Sequence, residues 1–115
     1  MRKYLAAIGQ IDTTAGWEHC LSTAEFFADQ AAAAGAKLIA FPENFSQYQG
    51  GHTPAESLDN SPTLDRMAAK ARETGLWILC GTLFTPAPDG RFLNTSILLD
   101  PEGNRVAHYD KLHLF

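Results

Sequence analysis

The chain has 115 residues, enough for one small domain and too few for two. With 45% apolar and 19% charged residues it has the balance of a globular protein, not of a disordered or fibrous one. Acidic residues outnumber basic ones by 13 to 9 and the longest basic run is Arg2-Lys3, so neither a nucleic-acid nor an anionic-membrane partner is expected.

No targeting segment is expected either. The run Tyr4-Leu5-Ala6-Ala7-Ile8 is too short for a signal-peptide core, and no stretch reaches the length of a membrane span. Cys20 and Cys80 form no CxxC pair and no zinc-spaced cluster with a histidine, so no metal site is expected. Two free thiols in a reducing cytoplasm are the plain expectation.

A strand is predicted from Lys3 to Gln10, its apolar run suited to burial on both faces. Asp12, Thr13 and Thr14 suit a turn and a helix cap. From about Trp17 to Ala34 the spacing is helical, with Cys20, Ala24, Phe27, Ala31 and Ala34 as the apolar stripe and Gly35 as the stop. Lys37 to Phe41 is a short buried strand ended by Pro42. A strand–helix–strand unit of this kind normally lies parallel in one sheet.

Residues 44 to 60 form a long polar segment with Gly50-Gly51 and Pro54, of which Gln47 to Asn60 is expected to be the most mobile internal stretch and to rim a pocket. Ser61-Pro62 predicts the start of a second helix, with Leu64, Ala68 and Ala71 buried and Gly75 at its end. Three strands then follow, Leu76 to Phe84, Phe92 to Leu99 and Arg105 to Asp110, separated by turns at Asp89-Gly90 and 100–104. The expectation is one mixed sheet with two helices on one face. Because Leu76 to Leu79 and Ile97 to Leu99 are apolar at both parities, the other face also asks for cover.

Two residues stand out chemically. Glu43 directly follows a buried strand, where open α/β sheets place active-site groups, and a general base needs a carboxylate held at such a rigid strand end. A solvated loop glutamate is the plainer alternative. Lys111 follows the last strand among Tyr109, Leu112, Leu114 and Phe115, and a lysine so placed can stabilise a developing oxyanion. A surface lysine lying along apolar neighbours is the alternative there. Cys20 on a helix stripe and Cys80 in a strand read as packed core thiols. His19, His52, His108 and His113 form no ligand-spaced pair, and neither phosphate-binding glycine fingerprint occurs around Gly9 or Gly16.

Residues 38–45, Leu-Ile-Ala-Phe-Pro-Glu-Asn-Phe, resemble the nitrilase-superfamily segment that carries a catalytic glutamate. Residues 109–115, Tyr-Asp-Lys-Leu-His-Leu-Phe, resemble the segment that carries the catalytic lysine. Gly81-Thr82-Leu83-Phe84 and the stretch from Asn94 to Gly103 resemble family segments lying between them in the same order. The resemblance runs from Ala7 to the last residue. It implies an α/β fold that is part of a four-layer αββα sandwich, residues 1–115 being an incomplete domain whose second half is missing. It further implies a carbon–nitrogen hydrolase with a Glu–Lys–Cys triad, Glu43 and Lys111 filling two places and the cysteine lying beyond Phe115. No metal and no cofactor are implied, and His113 reads as a structural residue beside the lysine. Residues 111–115 are most similar to the omega-amidase and deaminated-glutathione-amidase branches, which favours an amidase acting on a small carboxamide. A nitrilase or N-acyltransferase with the same triad, or an inactive fragment serving as an interaction module, remain the rivals. A small amide or nitrile is the expected partner, and a homo-oligomer the expected state of the complete protein.

Overall fold

The structure, a computed structural model, describes residues 3–111. Seven elements follow one another: β1 (Leu5–Ile8), α1 (Trp17–Ala33), β2 (Ala36–Ala40), α2 (Pro62–Thr74), β3 (Trp77–Pro86), β4 (Phe92–Leu99) and β5 (Arg105–Asp110). The strands form one sheet in chain order. β1, β2 and β3 run parallel, each pair joined by a helix, whereas β3, β4 and β5 form an antiparallel meander joined by turns. This is the α/β arrangement the hydrophobic pattern calls for.

One continuous core fills the space between the helices and one face of the sheet. Cys20, Leu21, Ala24, Ala28 and Ala31 of α1 and Leu64, Met67 and Ala71 of α2 meet Ile39, Ile78, Cys80, Leu83, Ile97 and Leu99 of the strands. The small alanines of α1 let its backbone lie close to the sheet. Charged arms clamp the helices together: Arg66 binds Glu18 and Glu25 and lies 5.3 Å over the Trp17 ring, while Lys70 binds Asp29 at 3.0 Å and Glu73 at 3.2 Å. Burial alone would lower the Lys70 ammonium, but Asp29 and Glu73 outweigh it and raise it.

Pairing register defines the opposite face. Ile8, Ala40, Leu79, Leu98 and Ala107 form one row across all five strands, with Leu38 and Trp77 in the next. No described element covers them: Ile8 is 86% exposed and Trp77 40%.

Four local expectations change. β1 is four residues long and mostly exposed, because it is an edge strand whose outer face has no partner layer. The α1 stripe includes Leu21 and Ala28, while Phe27 is only half-buried and Ala34 is exposed at the C-cap. Asp12 does not cap α1. Its carboxylate accepts the N–H and O–H of Thr14, closing a turn, and the cap position falls to Gly16 at φ +100, where an L side chain would be strained. β3 starts one residue later and ends two residues further on than expected. At α2 the expected start stands: Ser61 Oγ accepts the Leu64 N–H and Pro62 opens the helix.

Candidate active site

The site begins where β2 ends. Phe41 still donates its N–H to Leu79, after which Pro42 takes the chain out of the sheet and Asn44 adopts φ +52, a left-handed turn that asparagine tolerates. Two features of β3 seat this turn. Its register shifts between Cys80 and Leu83, and within that irregularity Thr82 Oγ1 accepts the Asn44 N–H at 2.9 Å. A Cβ on Gly81 would lie 1.7 Å from the Pro42 carbonyl oxygen, so only glycine lets the two backbones meet. Phe45, fully buried and stacked on Phe41 at 5.7 Å, anchors the far side of the turn. Glu43 is thus presented from a fixed backbone.

Lys111 arrives at the same end of the sheet from its far edge, at the close of β5. Its N–H donates to the Asn94 carbonyl at 2.8 Å, extending the β4–β5 pairing past Asp110. Asp110 is itself held by the Thr95 hydroxyl at 2.9 Å, and that hydroxyl lies 2.7 Å from the Thr85 hydroxyl. Since the Thr95 proton is spent on Asp110, Thr85 must donate to Thr95, and three strands are stitched together beside the lysine.

Glu43 and Lys111, 68 residues apart in sequence, meet here: Lys111 Nζ donates to Glu43 Oε1 at 2.6 Å. The side chains are 43% and 39% exposed, so the pair faces open space at the sheet end. Asn94 Nδ2 also donates to Glu43 Oε1, at 3.1 Å. Sequence reasoning assigned Asn94 no role, although it opens one of the family-like segments. Leu112, His113, Leu114 and Phe115, expected around Lys111, lie outside the described residues, as do Met1 and Arg2.

An open cavity of about 820 Å³ lies beside the pair, lined by Asn44, Tyr48, Thr53, Phe84, Asn94 and Lys111 among others. The 44–60 segment therefore forms its wall, as expected, but it is tied down more than a polar loop suggests. Tyr48 N–H donates to Thr13, Glu56 N–H donates to Phe84, and Arg105 reaches the Leu58 carbonyl. The Glu56 carboxylate accepts the hydroxyls of Ser61 and Thr63 and the Thr63 N–H, which fixes the loop to the start of α2.

Neither cysteine reaches this site. Cys20 and Cys80 are free and fully buried, and burial pushes both thiols up, a nearby Asp12 adding to the effect on Cys20. His19, His52 and His108 are exposed. Among the described residues no three His, Cys, Asp or Glu side chains gather as metal ligands, and no helix is long and apolar enough to cross a membrane.

Comparison with known proteins gives the family of the chain. The Carbon-nitrogen hydrolase family model matches residues 5–115. The chain is 33% identical over 122 residues to a deaminated glutathione amidase of Synechocystis sp., covering all of this chain and 44% of that protein. It is 30% identical over 92 residues to the omega-amidase NIT2 of Homo sapiens, covering 77% of this chain and 33% of that one. The chain thus spans less than half the length of these curated relatives. In fold it matches the C. elegans NitFhit protein with a TM-score of 0.83 at 24% identity, over 97% of this chain and 28% of that structure. A family match across nearly its whole length means that the chain belongs to the carbon–nitrogen hydrolases.

Proposed function

We propose that this chain supplies two members of a Glu–Lys–Cys triad, Glu43 and Lys111, for an amidase acting on small carboxamides. The observation that carries the reading is the 2.6 Å contact between Glu43 Oε1 and Lys111 Nζ at the rim of the cavity. The third member is a cysteine of a longer polypeptide, downstream of residue 115. Glu43 takes the thiol proton, and the thiolate adds to the amide carbon. Lys111 offsets the charge that gathers on the carbonyl oxygen. As the C–N bond breaks, Glu43 returns the proton to the leaving ammonia. Water, activated by the same carboxylate, then releases the acid from the thioester and restores the thiol.

The amidase names of the relatives favour an amide over a nitrile substrate. Two buried free thiols fit a reducing, cytoplasmic setting, and the bare apolar sheet face fits cover by the second sheet of the sandwich in the longer polypeptide.

The test uses the polypeptide that contains this chain together with its downstream cysteine. Glu43→Gln and Lys111→Met each lower ammonia release from a primary carboxamide by at least about 10²-fold. Turnover within tenfold of the parent for either variant sinks the assignment. Residues 1–115 alone give no turnover, since Cys20 and Cys80 lie buried in the core.

A further inference from the structure

Asn94 touches both members of the pair, through different atoms. Its main-chain carbonyl accepts the Lys111 N–H, and its side-chain Nδ2 donates to Glu43 Oε1. At 3% exposure within β4 it has no room to swing away. Its orientation follows from chemistry. An oxygen already accepting from an ammonium group can take only another donor, so the amide turns its NH2 toward Glu43 and its oxygen the other way. That oxygen, Oδ1, is buried and accepts no hydrogen bond from any described residue. A buried amide satisfied on one side only is unfavourable for folding, and a leucine of similar size would pack there without an orphaned oxygen. What the amide accomplishes lies on its satisfied side.

We propose that Asn94 is a positioning residue of the site, tying Glu43 Oε1 to β4, the strand that also holds the Lys111 main chain, and leaving Oε2 as the oxygen that takes the thiol proton. Among the described residues none donates to Oε2. The role given to Oε2 rests on the Glu–Lys–Cys reading above; the positioning is a matter of geometry and is tested separately. The side chain alone is at issue, because a substitution leaves the main-chain bond to Lys111 in place.

The experiment is zero-length carbodiimide coupling of the 115-residue chain, read by peptide mass spectrometry. Wild type forms an amide link between Glu43 and Lys111, and a second link between Asp29 and Lys70 reports intact folding in the same sample. Asn94→Leu lowers the Glu43–Lys111 link at least about fivefold, the scale of a lost hydrogen bond to a charged group, and keeps the Asp29–Lys70 link. Asn94→Gln, which packs worse but keeps the donor, restores most of the Glu43–Lys111 link. If Asn94→Leu loses both links, the isosteric Asn94→Asp is judged in its place. Equal yields in wild type and Asn94→Leu, or a failure of Asn94→Gln to restore the link, overturn the positioning role and leave the proposed function standing. A wild-type chain that forms the Asp29–Lys70 link but not the Glu43–Lys111 link overturns both.

Discussion

At the scale of single residues, Gly81 decides whether the site keeps its shape. Gly81 is in contact with the Pro42 carbonyl, backbone against backbone, so neither partner can rotate away from an added methyl group. Gly81→Ala is expected to destabilise the chain by about 1–3 kcal/mol and to weaken the Glu43–Lys111 pair. Gly51→Ala serves as control, since a Cβ there meets open space, and it should stay within about 0.5 kcal/mol of wild type in urea unfolding. Equal midpoints for the two variants would refute the close approach. Cys80 gives a prediction in pH. Burial raises its thiol in the fold, so folded pKa exceeds unfolded pKa. Its contribution to stability is whole below the unfolded thiol value, about 8.5, and drains away as pH climbs toward the folded value, because only the unfolded chain then releases the proton. The expected slope is up to about 1.4 kcal/mol per pH unit above that point, and Cys80→Ala removes it. Parallel stability curves for wild type and Cys80→Ala between pH 9 and 11 would contradict this. Glu43 and Lys111 were legible in the sequence because each follows a strand inside a recognisable segment. Gly81, Asn94 and Glu56 were not. Their roles arise from contacts made across the fold, such as the 51-residue separation of Asn94 and Glu43, and no local pattern carries that information.

Secondary-structure elements were readable in proportion to how much local chemistry fixes them. β4 and β5 are bounded by turns with strong signals, and both run between the residues expected. α2 starts at Ser61-Pro62 for the same reason. β1 was overextended because an apolar run does not reveal which strand will lie at the edge. The α1 stripe drifted because alanine-rich helices offer several possible faces, and only the sheet decides between them. The 44–60 segment looked like an unstructured loop, yet Glu56 binds it to α2 through three hydrogen bonds while its own N–H reaches Phe84. Glu56→Ala leaves the two hydroxyls and one N–H of Ser61 and Thr63 without that acceptor. Hydrogen bonds to a charged group contribute about 1.5–3 kcal/mol each before water replaces part of them. A net loss of about 1–3 kcal/mol is therefore expected on thermal unfolding. Asp59→Ala, which removes only an exposed contact to Arg105, should cost less than about 0.5 kcal/mol. A Glu56→Ala melting curve matching that of Asp59→Ala would remove Glu56 as the anchor of the cavity wall.

For the molecule as a whole, the two sheet faces have different fates although their strands are similarly apolar. The helix face carries the core, with Ile78 and Ile97 fully buried. The opposite face presents the row from Ile8 through Leu79 and Leu98, flanked by Trp77 at 40% and Tyr109 at 57% exposure. Burial of one large apolar side chain is worth about 1.5–3 kcal/mol, against a total stability of about 5–15 kcal/mol for a domain. Leaving such a row in water favours any arrangement that covers it, including a second copy of the same face. The 115-residue chain is accordingly expected to sediment as concentration-dependent dimers or larger species and to bind hydrophobic dyes. A charge placed on the bare face should suppress this without harming the fold. Leu98→Lys lies in the centre of the row and projects away from the helices, so it should reduce association and dye binding while leaving the unfolding midpoint unchanged or higher. Leu99→Lys, one residue further and on the buried side, should unfold the chain, because an isolated ammonium cannot be accommodated in that core. The opposite response of two adjacent residues is the signature of a single covered face. A compact monomer with a sharp thermal transition, unaffected by Leu98→Lys, would show that the row is not the surface through which the chain associates.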